Sequence, residues 1–400
     1  MTTTLQSSQK NVFLLALSQA LFMTGNVVLF TTAALIGQSL ATDKALSTLP
    51  LGIMQISTML STIPASLLMQ WIGRRLGFMA GVGLGMVGAG LGIAAIATQS
   101  FLLFCGATLL LGSSNSFAGF YRFAAAEAAT ESFRSQAISL VVSGGVVAAL
   151  AGPPLASWAK DLLPHAFMGS WMAIVVLQGL TFFALAPVTL PKVMVQGKQE
   201  KSRPLGMIVR QPSFVVAVLG SMIGYGVMVL VMTATPLAIV AHNHPFHDAA
   251  MVIQWHILGM FAPSFVTGAL IARFGVLTIM NCGSALSLLC ILINLFSVHH
   301  LHSELVSTTI ALLSLGIGWN FLYIGSTTLL TETYTPAEKA KVQALHDFLM
   351  FGFVAFATFL SGGLFERLGW QAVNWAGLPM MAIVAVAVFW LYQRRMVATR

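Results

Sequence analysis

Gln70-Trp71-Ile72-Gly73-Arg74-Arg75 lies between two apolar stretches, 48–70 and 76–98, and Ala272-Arg273-Phe274-Gly275 lies in the same way between 247–272 and 276–297. Each is a short loop with a glycine and one or two arginines, set between runs of about 20 apolar residues. That is the length needed to cross the bilayer's hydrocarbon core of about 30 Å. Gly73 and Gly275 stand 202 positions apart (275 less 73), half of a 400-residue chain. A loop recurring at that offset makes the second half of the chain an internal repeat of the first.

Reading outward from these loops gives twelve apolar stretches, at roughly 12–37, 48–70, 76–98, 101–122, 136–158, 167–189, 213–240, 247–272, 276–297, 305–328, 343–365 and 371–392. Charged residues make up 8% of the chain and hydrophobic ones 57%, with a mean hydropathy of +0.88. Soluble domains carry about 25% charge, so the chain is expected to be an all-α integral membrane protein. The first stretch is too long for the core of a signal peptide and is read as an uncleaved span. The longest polar stretch holds Pro191, Lys192, Lys198, Glu200, Lys201, Arg203, Pro204, Arg210 and Pro212. It divides the chain into a six-helix bundle at 1–190, a cytoplasmic linker at 191–212 and a second six-helix bundle at 213–400.

The net charge of +8 orients the protein rather than binding nucleic acid. With the N-terminus in the cytoplasm, the inner segments hold Lys10, Arg74, Arg75, Arg122, Arg134, Lys192, Lys198, Lys201, Arg203, Arg210, Arg273, Lys339, Lys341, Arg394, Arg395 and Arg400. These are sixteen of the 19 basic residues; Lys44, Lys160 and Arg367 fall outside. That bias places both termini in the cytoplasm. Walker, His-Glu-x-x-His and Ser/His/Asp signatures are missing, so no enzyme activity and no ATP-driven pump is expected.

Two six-span halves joined by a central loop resemble the major facilitator superfamily, and that resemblance implies a transport site between the halves near the bilayer midplane. The family's signature after span two is partly present. Gly73-Arg74-Arg75 matches its end and marks a gating and topology loop, whereas Ser66, Gln70 and Trp71 stand where glycine, aspartate and arginine are expected. Span three carries Gly81, Gly83, Gly85, Gly88, Gly90 and Gly92, residues that let helices approach closely. Gly144, Gly145 and Gly152-Pro153-Pro154 in span five are similar to the glycine-proline motif of facilitator antiporters. Tight packing with a kink is the plainer reading of it.

Met228-x-x-x-Met232 in span seven and His256-x-x-x-Met260 in span eight each place two soft donors on one helical face. Thioether and imidazole ligands suit Cu(I). About a turn centred on His244, Met232 and His256 are each twelve residues away, and Met228 and Met260 each sixteen. An antiparallel hairpin then brings the four to similar depth. The plain alternatives are methionine as core filler and a histidine donating a hydrogen bond to a carbonyl or serine inside the bundle. Seven of the nine histidines fall in outer loops: His165, His242, His244, His247, His299, His300 and His302. Among these, His242, His244 and His247 form a candidate metal-gathering loop above the four donors; a solvated polar loop is the plainer reading.

These two motifs, in this order and on these spans, resemble the CcoA-like copper importers of the major facilitator superfamily. The resemblance implies uptake of copper as a substrate, as Cu(I), through Met228, Met232, His256 and Met260. It also implies supply to cytochrome oxidase assembly, with a cytoplasmic copper chaperone as partner. A monomer in the bacterial inner membrane without a prosthetic group is expected. Three rivals stand beside it: an exporter of drugs or metabolites, a metal-binding sensor or assembly factor, and an importer of a planar organic nutrient such as riboflavin. The last enters because related branches of the same clade carry such cargo. Cys105, Cys282 and Cys290 are read as small apolar residues; eight residues separate the latter two, roughly 12 Å by helical rise, too far for a disulfide. The polar residues in or near spans are Gln55, Gln178, Asn26, Asn281, Asn294, Asn320, Glu332, His346 and Asp347. No carboxylate falls at mid-span, so proton coupling is not evident. An inside-negative potential supplies about 2.3 kcal/mol per charge per 100 mV to an entering cation.

Overall fold

The helices begin and end where local chemistry stops them. In a computed structural model, which describes residues 2–130, 134–190, 203–296, 304–335 and 337–398, the elements are α1 (Thr2–Leu40), a 3₁₀ turn (Lys44–Leu46), α2 (Leu49–Ile72), α3 (Arg74–Ala97), α4 (Phe101–Ala118), α5 (Tyr121–Ala128), α6 (Arg134–Val142), α7 (Gly144–Ala159) and α8 (Met168–Leu185). Then follow α9 (Leu205–Val209), α10 (Pro212–Ala241), α11 (Phe246–Phe261), α12 (Ser264–Phe274), α13 (Val276–Phe296), α14 (Glu304–Thr331) and α15 (Lys339–Ala398). The linker residues Pro191, Lys192, Lys198, Glu200 and Lys201, the loop residues His299, His300 and His302, and Pro336 and Arg400 lie outside the described residues. Lys44 Nζ donates to the Gln38 and Ala41 carbonyls at the end of α1, 2.7 and 2.8 Å away. It thereby satisfies acceptors the helix itself leaves open. Ser100 accepts from the Leu103 amide and starts α4.

Ten described helices are long and apolar enough to cross a membrane, and the pair α11–α12, bent by 43°, makes one more. One of the ten, Lys341–Val397, contains Gly369 at φ 79°, ψ −179°, which is not helical. It is two spans, so the described residues supply the expected twelve. The loop repeat is also present in the backbone. Gly73 has φ 86°, ψ 154° and Gly275 has φ 85°, ψ 150°, so both loops make the same turn, in a region that only glycine enters cheaply. Pro263 lies at the break in span eight, where its missing amide interrupts the helix ladder.

The helices gather into two compact units. One comprises 1–195 with 243–254, the other 196–242 with 255–400. In the first, the glycines of α3 do not act alike. A Cβ at Gly81 would meet Phe117 at 2.5 Å, at Gly85 Ser114 and Gln178 at 2.7 and 2.8 Å, and at Gly92 the Trp171 ring at 2.0 Å; Gly83 and Gly90 meet nothing. One stripe of α3 therefore seats α4 and α8, and the opposite face is open. Trp171 Nε1 donates to Thr32 Oγ1 at 3.3 Å. Tyr121 packs edge-on against Phe78 with ring centres 4.8 Å apart. Gly152 of the glycine-proline motif touches Val27 of α1, whose Cγ1 would lie 2.5 Å from an added Cβ. In this structure the motif serves close packing.

In the second unit α10 is the core helix. Its most apolar window is 78% buried, against 33 to 56% for the other spans. Its Val227 shares a core cluster with Met280, Leu322, Leu329, Met381 and Val384 of the surrounding helices. Near its N-terminal end Glu338, 1% exposed, accepts from Arg203 Nε, Nη2 and backbone N at 2.8, 2.7 and 2.8 Å, and from the Thr335 amide at 2.9 Å. The Arg203 guanidinium, followed by the Thr335 amide, holds the Glu338 carboxyl well below the usual carboxylate range.

Candidate functional site

The four soft donors are all buried: Met228 at 1%, Met232 at 7%, His256 at 0% and Met260 at 9% exposure. Their neighbours explain why. Residues four apart on α10 share a face, but α10 is buried nearly all round, so that face is core like the rest. His256 sits where α11 crosses α14 closely. A Cβ at Gly259 would lie 2.7 Å from the Leu313 carbonyl oxygen, and one at Gly316 2.3 Å from that of His256. The crossing brings His256 Nδ1 to 2.7 Å from the Leu312 carbonyl. A carbonyl only accepts, so Nδ1 carries the proton and Nε2 is the acceptor, without a partner. This is the interhelical hydrogen bond of the plain reading.

The histidines of the candidate metal-gathering loop have different partners. His244 Nδ1 lies 3.4 Å from Asp248 Oδ2, and His247 Nδ1 lies 3.5 Å from Ser157 Oγ, while His242 ends α10 as its cap. Among the described residues no group of three or more His, Cys, Asp and Glu side chains is disposed to hold a metal ion. In the loop after span two, Gly73 makes the turn and Arg74 pairs with Glu127 of α5 at 2.7 Å. Arg75 continues the basic end of α3 and is exposed.

What the second unit does assemble is aromatic. Trp319 and Tyr323, one turn apart on α14, stack with ring centres 4.9 Å apart and planes 12° from parallel. Tyr225 of α10 stands edge-on to both, at 5.4 and 6.1 Å. Phe351 of α15 approaches Tyr225 at 6.3 Å, and Phe261 of α11 approaches Trp319 at 6.4 Å. Five rings from four helices thus form one cluster. Tyr225, Phe261, Tyr323 and Phe351 are only partly buried, so the cluster is not sealed into the core. Trp319 is 8% exposed, and its indole N–H has no acceptor. A buried donor without a partner is costly, and here it lies among aromatic rings.

Asn320, next to Trp319, fixes the break in span eight. Its Nδ2 donates to the Met260 carbonyl at 2.7 Å and to Ser264 Oγ at 2.6 Å, and Thr267 Oγ1 lies 2.7 Å from its Oδ1. Phe261 is thereby held at the bend beside Trp319. Sequence reading singles out Asn320 but misses the cluster, since its members are scattered from 225 to 351. The i, i+4 aromatic pair at 319 and 323 was the one local signal available.

Comparison with known proteins agrees with this picture. The Major Facilitator Superfamily pattern matches residues 15–345 and 219–399. The chain is 41% identical over 385 residues to the riboflavin transporter RfnT of Brucella anthropi, covering 95% of each. Among solved structures it superposes on the nucleoside transporter NupG with a TM-score of 0.75 at 13% identity, covering 95% of this chain and 99% of that one. On the E. coli fucose:proton symporter FucP the TM-score is 0.60 at 16% identity, with the same coverage. The first likeness overturns the expectation of copper import, because a relative that similar over nearly its full length is a riboflavin transporter. A four-residue methionine spacing is also the spacing of helix packing, and α10, which carries Met228 and Met232, is buried nearly all round.

Proposed function

Because the chain is a multi-pass membrane protein of the major facilitator superfamily, we propose that it imports riboflavin across the bacterial cytoplasmic membrane by alternating access, with both termini in the cytoplasm. The observation that carries this reading is the 41% identity to a riboflavin transporter over 95% of both chains. The aromatic cluster supports it on chemical grounds. The isoalloxazine ring is flat, tricyclic and apolar on its faces, with carbonyl oxygens on one edge. Stacked or edge-on aromatic pairs contribute about 0.5–1.5 kcal/mol each beyond the area they bury. The unspent indole N–H of Trp319 matches a ring carbonyl. The basic inner loops support the orientation.

A bacterium unable to synthesise riboflavin tests the proposal. Expression of this chain is expected to permit growth at riboflavin concentrations too low for untransformed cells. Growth no better than with an empty vector, although the protein reaches the membrane, refutes import. Lowered intracellular flavin on expression assigns export instead.

A further inference from the structure

Two histidines are buried within spans of the second unit, and their partners differ. Charging the fully buried His256 would give Nε2 a proton with no acceptor. His346, on α15 and 4% exposed, has a partner on each ring nitrogen. Nδ1 lies 2.9 Å from Asp347 Oδ1, and Nε2 lies 2.7 Å from Ser221 Oγ on α10. Ser221 Oγ in turn lies 3.0 and 3.1 Å from the Ala217 and Val218 carbonyls. This set has two fully bonded arrangements. With a neutral ring, Nδ1–H donates to Asp347 and the serine hydroxyl donates to Nε2. When Nε2 takes a proton from water, it donates to Ser221 Oγ, and the serine hydrogen turns onto the Ala217 or Val218 carbonyl. One proton is gained, one hydroxyl rotates and no buried group loses its partner, which is what makes a buried charge tolerable.

We propose that Ser221, His346 and Asp347 form the proton-binding site that couples substrate transport to the proton gradient; this rests on the riboflavin reading above. Position supports it. Tyr225 is one turn along α10 from Ser221, and Phe351 is one turn along α15 from Asp347; their rings meet at 6.3 Å. The proton site and the aromatic cluster therefore occupy successive turns of the same helix pair, so a shift of one helix past the other is felt at both. Asp347, with a side chain 59% exposed and six residues from Lys341 at the head of the span, supplies the counter-charge and an approach from water.

The remaining ionisable groups on elements packed against α15 have their own settings. α10 brings Tyr225 in the aromatic cluster, and α13 brings Cys282, which is exposed, and Cys290, beside Asn294. α9 has none; its flanks carry exposed Arg210 and Arg203, paired with Glu338. On α15 itself, Lys341 meets the Arg203 carbonyl, Arg395 pairs with Glu332, and Arg394 lies over Trp390. Lys339, Glu366, Arg367 and Tyr392 complete the inventory of that element.

Purified full-length protein in liposomes separates coupling from binding. Wild type is expected to accumulate riboflavin against its gradient when the interior is alkaline, up to about tenfold per proton per pH unit. It also exchanges riboflavin in counterflow, which needs no net proton movement. His346→Gln is expected to keep counterflow within about twofold, whereas gradient-driven accumulation falls to simple equilibration. Asp347→Asn is expected to alter the pH dependence of accumulation, because the His346 ring loses its carboxylate partner at Nδ1. Accumulation by His346→Gln equal to wild type, or a wild-type accumulation indifferent to a protonophore, overturns the site. Should His346→Gln lose counterflow too, an Asp347→Asn pH profile superimposable on wild type overturns it. Absence of wild-type riboflavin counterflow refutes the substrate reading and this proposal with it; intact counterflow with unaltered coupling refutes this proposal alone.

Discussion

At the residue scale, Trp319 and His256 are both buried but differ in their partners. Trp319 is stacked on Tyr323 and has a donor left over. Removing an aromatic face from beneath a flat heterocycle costs about 1–3 kcal/mol, so Trp319→Ala is expected to raise the riboflavin KM about tenfold or more. Trp319→Phe keeps a stacking face and is expected to lose less. Uptake kinetics at matched membrane levels decide this, and an unchanged KM in Trp319→Ala removes the cluster from the binding site. His256, by contrast, makes one bond to a carbonyl that the helix ladder already serves. Replacing it with an apolar residue of similar size removes the lone Nε2 together with that bond, a nearly neutral exchange. His256→Leu is expected to transport riboflavin normally and to unfold within about 1 kcal/mol of wild type. Loss of transport by a well-folded His256→Leu contradicts the packing role.

At the scale of elements, the break between α11 and α12 depends on one side chain from a third helix. Asn320→Ala would leave the Met260 carbonyl without its donor and release Ser264, costing about 1–3 kcal/mol for a buried group left unpaired. Thermal unfolding in detergent should register that loss, and the displaced Phe261 should weaken riboflavin binding at the same time; a variant indistinguishable in both respects shows that the bend is held elsewhere. The linker end offers a test by pH. Glu338 has its folded-state affinity for protons depressed by Arg203. Its contribution to stability is therefore complete above the ordinary carboxylate value of about 4.3 and is lost as pH falls below it. Glu338→Gln is expected to be less stable at neutral pH and to converge with wild type in acid. Parallel stability curves for the two proteins would remove Glu338 from that role.

For the whole molecule, what was legible in the sequence was what repeats or what the bilayer dictates. The twelve spans follow from apolar runs of bilayer length, and the Gly73 and Gly275 loops adopt the same backbone turn, as their matched positions imply. Gly369, which divides the last long helical segment, fell in the expected gap between 365 and 371. The site was not legible in this way. Met228-x-x-x-Met232 was a true helical face, but on a helix buried on nearly every side, spacing alone does not separate ligands from core. Tyr225, Phe261, Trp319, Tyr323 and Phe351 come from four helices, and tertiary packing alone brings them together.

Whether this protein moves riboflavin is decided by one experiment. Labelled riboflavin uptake by cells that make none of their own, expressing wild type or Trp319→Ala at equal membrane levels, tests it most directly. Wild type is expected to accumulate riboflavin saturably, and the variant to respond much more weakly to low riboflavin. Wild-type uptake no greater than that of empty cells would contradict it.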